Sequence, residues 1–189
     1  MIGEENKIVA SGAFIPAAER YNFMSTIDKW VINEIFRLLQ ELNKFNDDNV
    51  IYELSINLSG TTICELGLKE YIIEKQNQYN IDAKHICFEV TETSAVANLN
   101  DATILIKELK NSGFKFSLDD FGSGKSSFTY LKVLDVDFLK IDGSFVRDIE
   151  HDEVDLAMVE FINHTGQVMG MFTVAEFVEN DAILLFYTS

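Results

Sequence analysis

Cysteine, proline and long apolar runs are all scarce in this sequence. Its 189 residues include one proline and two cysteines, Cys64 and Cys87, whose spacing fits no metal-binding motif and is typical of reduced thiols in a cytoplasmic protein. The N-terminus lacks the basic region and apolar stretch of a signal peptide, and no apolar run approaches the roughly 20 residues of a membrane span. We therefore expect a cytoplasmic protein whose chain carries no membrane segment.

Positive charge is scarce as well. The sequence has 15 lysines and arginines against 31 aspartates and glutamates, which gives a formal net charge of −16. This balance argues against DNA, RNA or an anionic membrane as the main partner, although bound metal ions can make an acidic protein attractive to an anionic substrate. The length and the apolar fraction of 47% predict a single domain over residues 1–189 with a substantial core.

Strand-like segments alternate with helical patterns along the chain. Strands are predicted within residues 51–59, 85–93, 113–120, 136–142 and 171–179, and helices over 25–42, 62–79, 101–110, 126–132 and 152–167. In the first helix, Trp30 belongs to the predicted core-facing stripe. The alternation indicates βαβ units and a parallel sheet. Since a complete β/α barrel needs roughly 250 residues, a barrel of this length is either incomplete or irregular at its ends.

A pair of adjacent aspartates, Asp119 and Asp120, is the most informative feature. It follows the alternating apolar residues Phe114, Phe116 and Leu118 and precedes a loop rich in glycine and serine. Adjacent carboxylates repel each other unless a cation lies between them, and a divalent metal ion is the obvious candidate. The alternative is a solvated acidic turn, because aspartate and glycine are common turn formers.

Charged or metal-binding residues also occur near the ends of the other predicted strands. They are Asn57, Glu89, Glu92, Lys140, Glu176 and Glu179. Because active sites of β/α barrels form at the carboxyl ends of the strands, this repeated placement favours a shared site over a solvated turn. Carboxylate and amide oxygens suit Mg²⁺ or Mn²⁺, and two such ions promote phosphodiester hydrolysis. An enolase-type Mg²⁺ barrel is an alternative, against which the Asp119–Asp120 pair and its loop count.

Six short motifs follow one another along nearly the whole chain. They read Phe14-Ile-Pro-Ala-Ala-Glu19, Ile56-Asn-Leu-Ser59, Phe88-Glu-Val-Thr-Glu92, Leu118-Asp-Asp-Phe-Gly-Ser-Gly124, Leu139-Lys-Ile-Asp-Gly-Ser-Phe-Val146 and Ala175-Glu-Phe-Val-Glu179. The ordered set resembles the EAL domain family, the cyclic di-GMP phosphodiesterases of bacterial signalling. The resemblance implies a TIM-type β/α barrel that hydrolyses cyclic di-GMP to the linear dinucleotide.

The resemblance also implies roles for individual residues. The implied ligands of two Mg²⁺ or Mn²⁺ ions are Asn57, Glu89, Asp119 and Asp120. Lys140 is expected to help hold the attacking water and stabilise charge on the phosphate, and Glu176 to act near that water as a metal partner or base. Glu92 and Glu179 are expected to anchor the loop at 121–127, which links the site to a homodimer contact in the family.

The sequence departs from the family pattern at several points. The Glu-Ala-Leu strand, whose glutamate is a metal ligand, and the terminal strand with its site glutamine are missing, and Phe177 stands where glycine is usual. These departures predict an EAL fold truncated at both ends, with weak or lost hydrolysis. The alternative is a degenerate EAL domain that binds cyclic di-GMP or a protein partner without turnover.

Truncation has a further consequence for assembly. Two strands are expected to lose a neighbour, and unpaired apolar edges promote association. We therefore expect either a homodimer that covers the edges or a rearranged segment at 183–187 that fills them.

Overall fold

The computed structural model describes residues 9–45, 53–124 and 128–186. Within these ranges the chain forms one parallel sheet of five strands, in the order β1-β2-β3-β4-β5. The strands are β1 (Leu54–Asn57), β2 (Ile86–Thr91), β3 (Lys115–Phe121), β4 (Phe138–Ile141) and β5 (Phe172–Ala175). Each overlaps one predicted strand segment, so the prediction of an α/β fold with a parallel sheet is confirmed.

Helices connect the strands and precede the sheet. In the described ranges they are α1 (Ser11–Arg20), α2 (Met24–Phe45), α3 (Gly60–Ile63), α4 (Leu68–Tyr79), α5 (Glu92–Ala97), α6 (Leu99–Lys110), α7 (Gly143–Val146), α8 (Glu153–Met169) and α9 (Asp181–Phe186). Short 3-10 helices lie at Ala83–His85 and Phe128–Lys132. The sequence pattern does not predict α1, and the helix predicted at 62–79 is divided into α3 and α4 just before Gly67, whose φ is +88°.

The core-facing side of α2 differs from the prediction. Trp30 is 64% exposed, whereas Ile32 and Phe36 are completely buried. The buried side of the helix includes a polar residue, Asp28, whose carboxylate accepts hydrogen bonds from the backbone N–H of Ser59 (2.9 Å) and from the hydroxyl of Thr62 (2.6 Å). A buried aspartate hides the true stripe from an apolar-pattern analysis, so the assignment of Trp30 to the core is wrong.

The sheet has a helix-covered face and an open face, because successive strand residues point to opposite sides. Ile56, Phe88, Phe116, Leu139 and their neighbours on the covered face are buried in the hydrophobic core beneath the helices. The open face forms a shallow cleft whose lining includes Ser55, Cys87, Glu89, Ser117, Phe138, Lys140 and Val174. The open face therefore carries polar residues of β1 to β4, together with apolar side chains from β4 and β5, whereas the covered face is largely apolar.

β1 and β5 are the outer strands of the described sheet. On the open face of β5, Phe172 is 73% exposed. The segment predicted to fill an edge instead contributes α9, whose Ile183 is buried in the core, while residue 187 lies outside the described ranges. α9 is a helix and does not join the sheet as a further strand, so coverage of a strand edge by this segment stays a prediction. None of the described helices is long and apolar enough to cross a membrane.

Candidate metal and phosphodiester site

Lys140 is the centre of the candidate site. Its Nζ lies 2.8 Å from Oδ1 of Asp119, 2.8 Å from Oε1 of Glu176 and 3.2 Å from Oε2 of Glu89. Parallel register explains the convergence, because β2, β3, β4 and β5 all end at the same edge of the sheet. Asp119 is only 13% exposed at its side chain, which excludes the alternative of a solvated acidic turn for this residue.

The protonation of Lys140 follows from these contacts. Burial alone lowers the pKa of the ammonium group, but the contacts with Asp119 and Glu176 raise it, with a further contribution from Glu89. The net effect is a pKa above the ordinary lysine value. Lys140 is therefore positively charged throughout the neutral range and compensates part of the surrounding negative charge.

A β-bulge explains how two consecutive aspartates contribute to the same site. The register between β3 and β4 shifts between Leu118 and Phe121, and Asp120 has a left-handed φ of +54°. In a regular strand Asp119 and Asp120 would point to opposite faces, but the extra residue of a bulge redirects a side chain. Oxygens of Asp119, Asp120 and Glu176 consequently all lie within 4.8 Å of one another.

This donor set fits a divalent metal ion. All the ligand atoms are hard oxygens, and Asp119 Oδ1 is buried without a well-aligned hydrogen bond from the described residues, although Lys140 Nζ lies 2.8 Å away. Asp120 is exposed at its surface but partly desolvated by its neighbours, which raises its pKa, and the negative charges of Asp119, Asp142 and Glu176 raise it further. An additional cation at this position relieves that repulsion.

Asn57 and Glu89 lie on the neighbouring strands. They face each other across the β1–β2 pair, where their Cα atoms are register partners. Asn57 is exposed at the carboxyl end of β1, and Glu89 lies outside the group of three mutually close carboxylates but reaches it through Lys140. The structure therefore places both residues at the same end of the sheet, with Glu89 as the connection to the acidic group.

Glu92 is buried beneath the loop that follows Asp120. It is 2% exposed, and its carboxylate accepts hydrogen bonds from the backbone N–H of Gly122 (2.9 Å) and from the hydroxyl of Tyr130 (2.6 Å). A Cβ atom at Gly124 would lie 2.8 Å from Oε1 of Glu92, so any larger residue there would displace the hydrogen-bonded carboxylate. Tyr130 was missed by sequence reasoning, because no local pattern links it to Glu92.

In the segment after β5, Glu179 faces solvent, whereas Phe177 is packed in a strained backbone conformation. Glu179 is exposed, and its side chain has no hydrogen bond or ion pair with the part of the chain that the structure describes. Phe177 has a left-handed φ of +52°, a conformation that costs a residue other than glycine about 1–3 kcal/mol. Its ring packs against Gly143, and the Arg147 guanidinium lies 4.0 Å from the ring centroid.

Two further polar residues belong to the site region. Asp142 follows β4, caps α7 by accepting a hydrogen bond from the backbone N–H of Ser144 (2.7 Å), and contributes to the raised pKa of Asp120. Ser117 lies on the open face of β3, and its buried Oγ has no hydrogen-bond partner among the described residues. The position of Asp142 directly after a strand is the same signal that identified the other site residues, whereas Ser117 had no such signal.

Comparison with known proteins identifies close similarities. The EAL domain family matches residues 2–188. The chain is 43% identical over 178 residues to the cyclic di-GMP phosphodiesterase PdeB of Shewanella oneidensis. The aligned region covers 94% of this chain and 20% of that protein. It is 35% identical over 183 residues to the cyclic di-GMP phosphodiesterase PdeF of Escherichia coli. Here the aligned region covers 97% of this chain and 24% of that protein. The chain thus spans about a fifth to a quarter of the length of these curated relatives.

Solved structures of EAL-type proteins superimpose closely on this chain. A phosphodiesterase named PaMucR, in complex with c-di-GMP, superimposes with a TM-score of 0.90 at 29% identity and covers 99% of this chain and 75% of that one. The FimX EAL domain of Pseudomonas aeruginosa, bound to c-di-GMP, has a TM-score of 0.89 at 24% identity over 98% of this chain and 73% of that one, which supports the fold alone. The predicted fold class, an incomplete TIM-type β/α barrel, is confirmed.

Proposed function

The chain belongs to the EAL domain family, and on this premise we propose that it forms the site of a metal-dependent phosphodiesterase that hydrolyses cyclic di-GMP to the linear dinucleotide. The observation that carries the proposal is the grouping of Asp119, Asp120 and Glu176 oxygens within 4.8 Å, next to the ammonium group of Lys140. The similar proteins PdeB and PdeF are both named cyclic di-GMP phosphodiesterases, and the PaMucR structure contains c-di-GMP.

The proposed metal ligands come from three neighbouring strands. They are Asn57, Glu89, Asp119 and Asp120, which together offer hard oxygens to Mg²⁺ or Mn²⁺. When bound, such ions polarise the phosphodiester and lower the pKa of the attacking water. Because the whole chain carries a net charge of −16, the approach of a substrate with two phosphates depends on this local positive charge.

Lys140 and Glu176 are the proposed catalytic residues. The charged ammonium group of Lys140 donates to a phosphate oxygen or to the attacking water. Glu176, whose Oε1 lies 2.8 Å from Lys140 Nζ, acts beside that water as a metal partner or as the base that accepts its proton. Glu92 holds the loop after Asp120 through its two hydrogen bonds, and we propose it as the loop anchor. Glu179 is the weaker candidate for that role because it is exposed.

A second candidate function is binding of cyclic di-GMP without turnover. One observation favours it: Lys140 Nζ contacts Glu89, Asp119 and Glu176 together. These ion pairs already neutralise part of the charge that attracts metal ions, and a metal that binds must compete with the ammonium group for the same oxygens. Retained dinucleotide binding with no hydrolysis, even at high metal concentration, is the signature of this alternative.

The deciding experiment is incubation of the purified chain with cyclic di-GMP and Mn²⁺ or Mg²⁺, followed by chromatography for the linear dinucleotide. Because the implied site glutamate and glutamine are missing from this chain, we expect slow product formation at most with metal present, and none in EDTA or in Asp119→Asn. The control is Asp135→Asn, an exposed carboxylate that pairs with Lys110 at 2.8 Å. Binding of cyclic di-GMP without product supports the second candidate function. The absence of both binding and product refutes both candidates.

We also propose that the chain forms a homodimer. The support is the exposed Phe172 on β5, an outer strand of the described sheet, because an unpaired apolar strand promotes association between chains. The family's contact near the loop at 121–131 is the other candidate surface. Light scattering on the purified chain distinguishes a dimer from a monomer.

A further inference from the structure

Phe177 adopts a backbone conformation that its residue type resists. Its φ of +52° is left-handed, and a bulky residue in this region is uncommon because Cβ approaches the neighbouring carbonyl oxygen. The side chain is 50% exposed, so burial of the ring in the core does not explain the conformation. Such strain persists where the surroundings determine the conformation, and it occurs preferentially at functional sites.

The surroundings of the ring are well defined. A Cβ atom built on Gly143 would lie 2.0 Å from Cδ2 and 2.7 Å from Cε2 of Phe177, so the ring occupies the space of a side chain at position 143. The Arg147 guanidinium lies 4.0 Å from the ring centroid, within the range of a cation–π interaction. The backbone N–H of Arg147 donates to Gly143 O at 3.1 Å, so one turn of α7 supplies both contacts.

This packing connects the ends of β4 and β5 immediately beside the site. Gly143 comes three residues after Lys140 on the β4 side, and Phe177 directly follows Glu176 on the β5 side. Between the same two ends, Oε1 of Glu176 lies 2.8 Å from Nζ of Lys140. The two segments are thus joined by an ion pair within the site and by the Phe177–Gly143–Arg147 packing behind it.

We propose that Phe177 is a positioning residue, which fixes the backbone that carries Glu176 beside Lys140 by packing its ring over Gly143 and against Arg147. The role in catalysis rests on the proposed function, whereas the role in orienting Glu176 is independent of it. Gly143 and Phe177 form a coupled pair, since the space between the strand ends admits one side chain and excludes a second. Glycine at both positions leaves that space empty and frees the turn after Glu176.

An exchange of the two residues tests the proposal. The single variant Phe177→Gly removes the ring, and the single variant Gly143→Leu introduces a side chain that clashes with it. In the double variant Gly143→Leu/Phe177→Gly, the leucine at position 143 fills the space that the ring of Phe177 fills in the wild type. The control is Val178→Ala, a partly exposed neighbour in the same segment. Two quantities are measured for each: the dissociation constant for Mn²⁺, by electron paramagnetic resonance, and the unfolding equilibrium in urea.

A third measurement separates orientation from general stability. The coupling between Glu176 and Lys140 is obtained from a double-mutant cycle of Glu176→Gln and Lys140→Gln, in the wild-type background and in the Phe177→Gly background. A purely structural role for Phe177 lowers stability and leaves this coupling unchanged. A positioning role removes the coupling, because the two side chains no longer meet in a fixed geometry.

We expect Phe177→Gly to weaken Mn²⁺ binding by about ten- to a hundredfold, the range seen when a supporting residue behind a metal ligand is removed. We expect the exchange variant to recover most of that loss and Val178→Ala to match the wild type. Unchanged Mn²⁺ affinity and unchanged coupling in Phe177→Gly overturn the proposal, as does an exchange variant no better than its single variants. If the wild type binds no Mn²⁺, the proposed function fails, and the Glu176–Lys140 coupling alone decides the role of Phe177.

Discussion

The hydroxyl group of Tyr130 donates a hydrogen bond of 2.6 Å to Oε1 of Glu92, and both residues are buried. The other carboxylate oxygen accepts from the backbone N–H of Gly122 at 2.9 Å. Burial raises the pKa of Tyr130, and its hydrogen bond to Glu92 raises it further. Tyr130 therefore stays protonated, and remains a donor, at any physiological pH.

Removal of this donor is expected to destabilise the protein. Tyr130→Phe leaves a buried carboxylate oxygen without its partner, which costs about 1–3 kcal/mol in the free energy of unfolding. Urea denaturation measures the loss. The control is Tyr79→Phe, which removes a hydroxyl that donates to the half-buried Asn33 at 3.0 Å and is expected to cost about 0.5–1.5 kcal/mol. Equal losses in the two variants would contradict the special role of Glu92.

Replacement of Lys140 tests the charge balance of the site. Lys140→Met leaves three carboxylates without their common partner, and we expect a loss of about 3 kcal/mol in metal-free buffer. Added Mn²⁺ should raise the melting temperature more in this variant than in the wild type, because the ion replaces the missing positive charge. Lys115→Met, which breaks a single ion pair with Glu53 at the opposite end of the sheet, is the control. Identical Mn²⁺ effects in the wild type and Lys140→Met would refute this reasoning.

The two aspartates should differ in their importance for metal binding. Asp119 is largely buried and Asp120 is exposed, so Asp119→Asn is expected to weaken Mn²⁺ binding more than Asp120→Asn. With Mn²⁺ at about a hundred times the wild-type dissociation constant, binding stabilises the wild type by about 2.7 kcal/mol. Most of this is lost in Asp119→Asn. Thermal unfolding with and without Mn²⁺ gives the comparison, and the reverse order of the two variants would be inconsistent with the geometry.

The two cysteines should react at very different rates. Cys64 is exposed, whereas Cys87 is buried on the open face of the sheet. Burial raises the pKa of Cys87 to about 12, with further contributions from Glu89, Glu53 and Asp137, so little reactive thiolate exists near pH 8. One thiol should react with a maleimide in the native protein, and the second only after unfolding. Cys64→Ser identifies the reactive residue, and rapid labelling of that variant would show that Cys87 is accessible.

The proposed homodimer depends on exposed apolar surface at β5. Phe172→Ser removes a side chain that is 73% exposed, and we expect it to shift the mass measured by light scattering from dimer toward monomer. Val133→Ser, at a position that is 51% exposed outside the sheet, should leave the mass unchanged. A wild-type monomer at high protein concentration would exclude the homodimer. A dimer that persists in Phe172→Ser would exclude the β5 contact and favour the contact near 121–131.

The sequence predicted the sheet better than the details of the helices. Strand alternation identifies β1 to β5 because each strand has one buried face, and residues at strand ends converge by the geometry of a parallel sheet. Trp30 was misassigned because the buried side of α2 includes a polar residue, Asp28, which interrupts the apolar pattern. The split between α3 and α4 coincides with Gly67, whose left-handed φ of +88° interrupts the predicted helix.

Some site residues could be predicted from their place at a strand end, and others could not. Asp119, Lys140 and Glu176 are each at a strand end and are brought together in the structure. Tyr130 reaches Glu92 from 38 residues away, a contact that no local pattern contains. The bulge that turns Asp120 toward the site is likewise a property of the pairing between β3 and β4. Local signals therefore identify candidate site residues, whereas long-range packing determines which of them meet.

The order of the strands has a consequence for how the chain folds. Since spatial order and chain order coincide, each strand pairs with the next one along the chain, as Ser55 does with Cys87 and Phe138 with Phe172. Each pairing closes a loop of similar, moderate length, and the entropy of loop closure is a main determinant of folding rate. The five described strands can therefore pair one after another in chain order. In that order the proposed site is completed last, when β5 brings Glu176 to a Lys140 that is already in place.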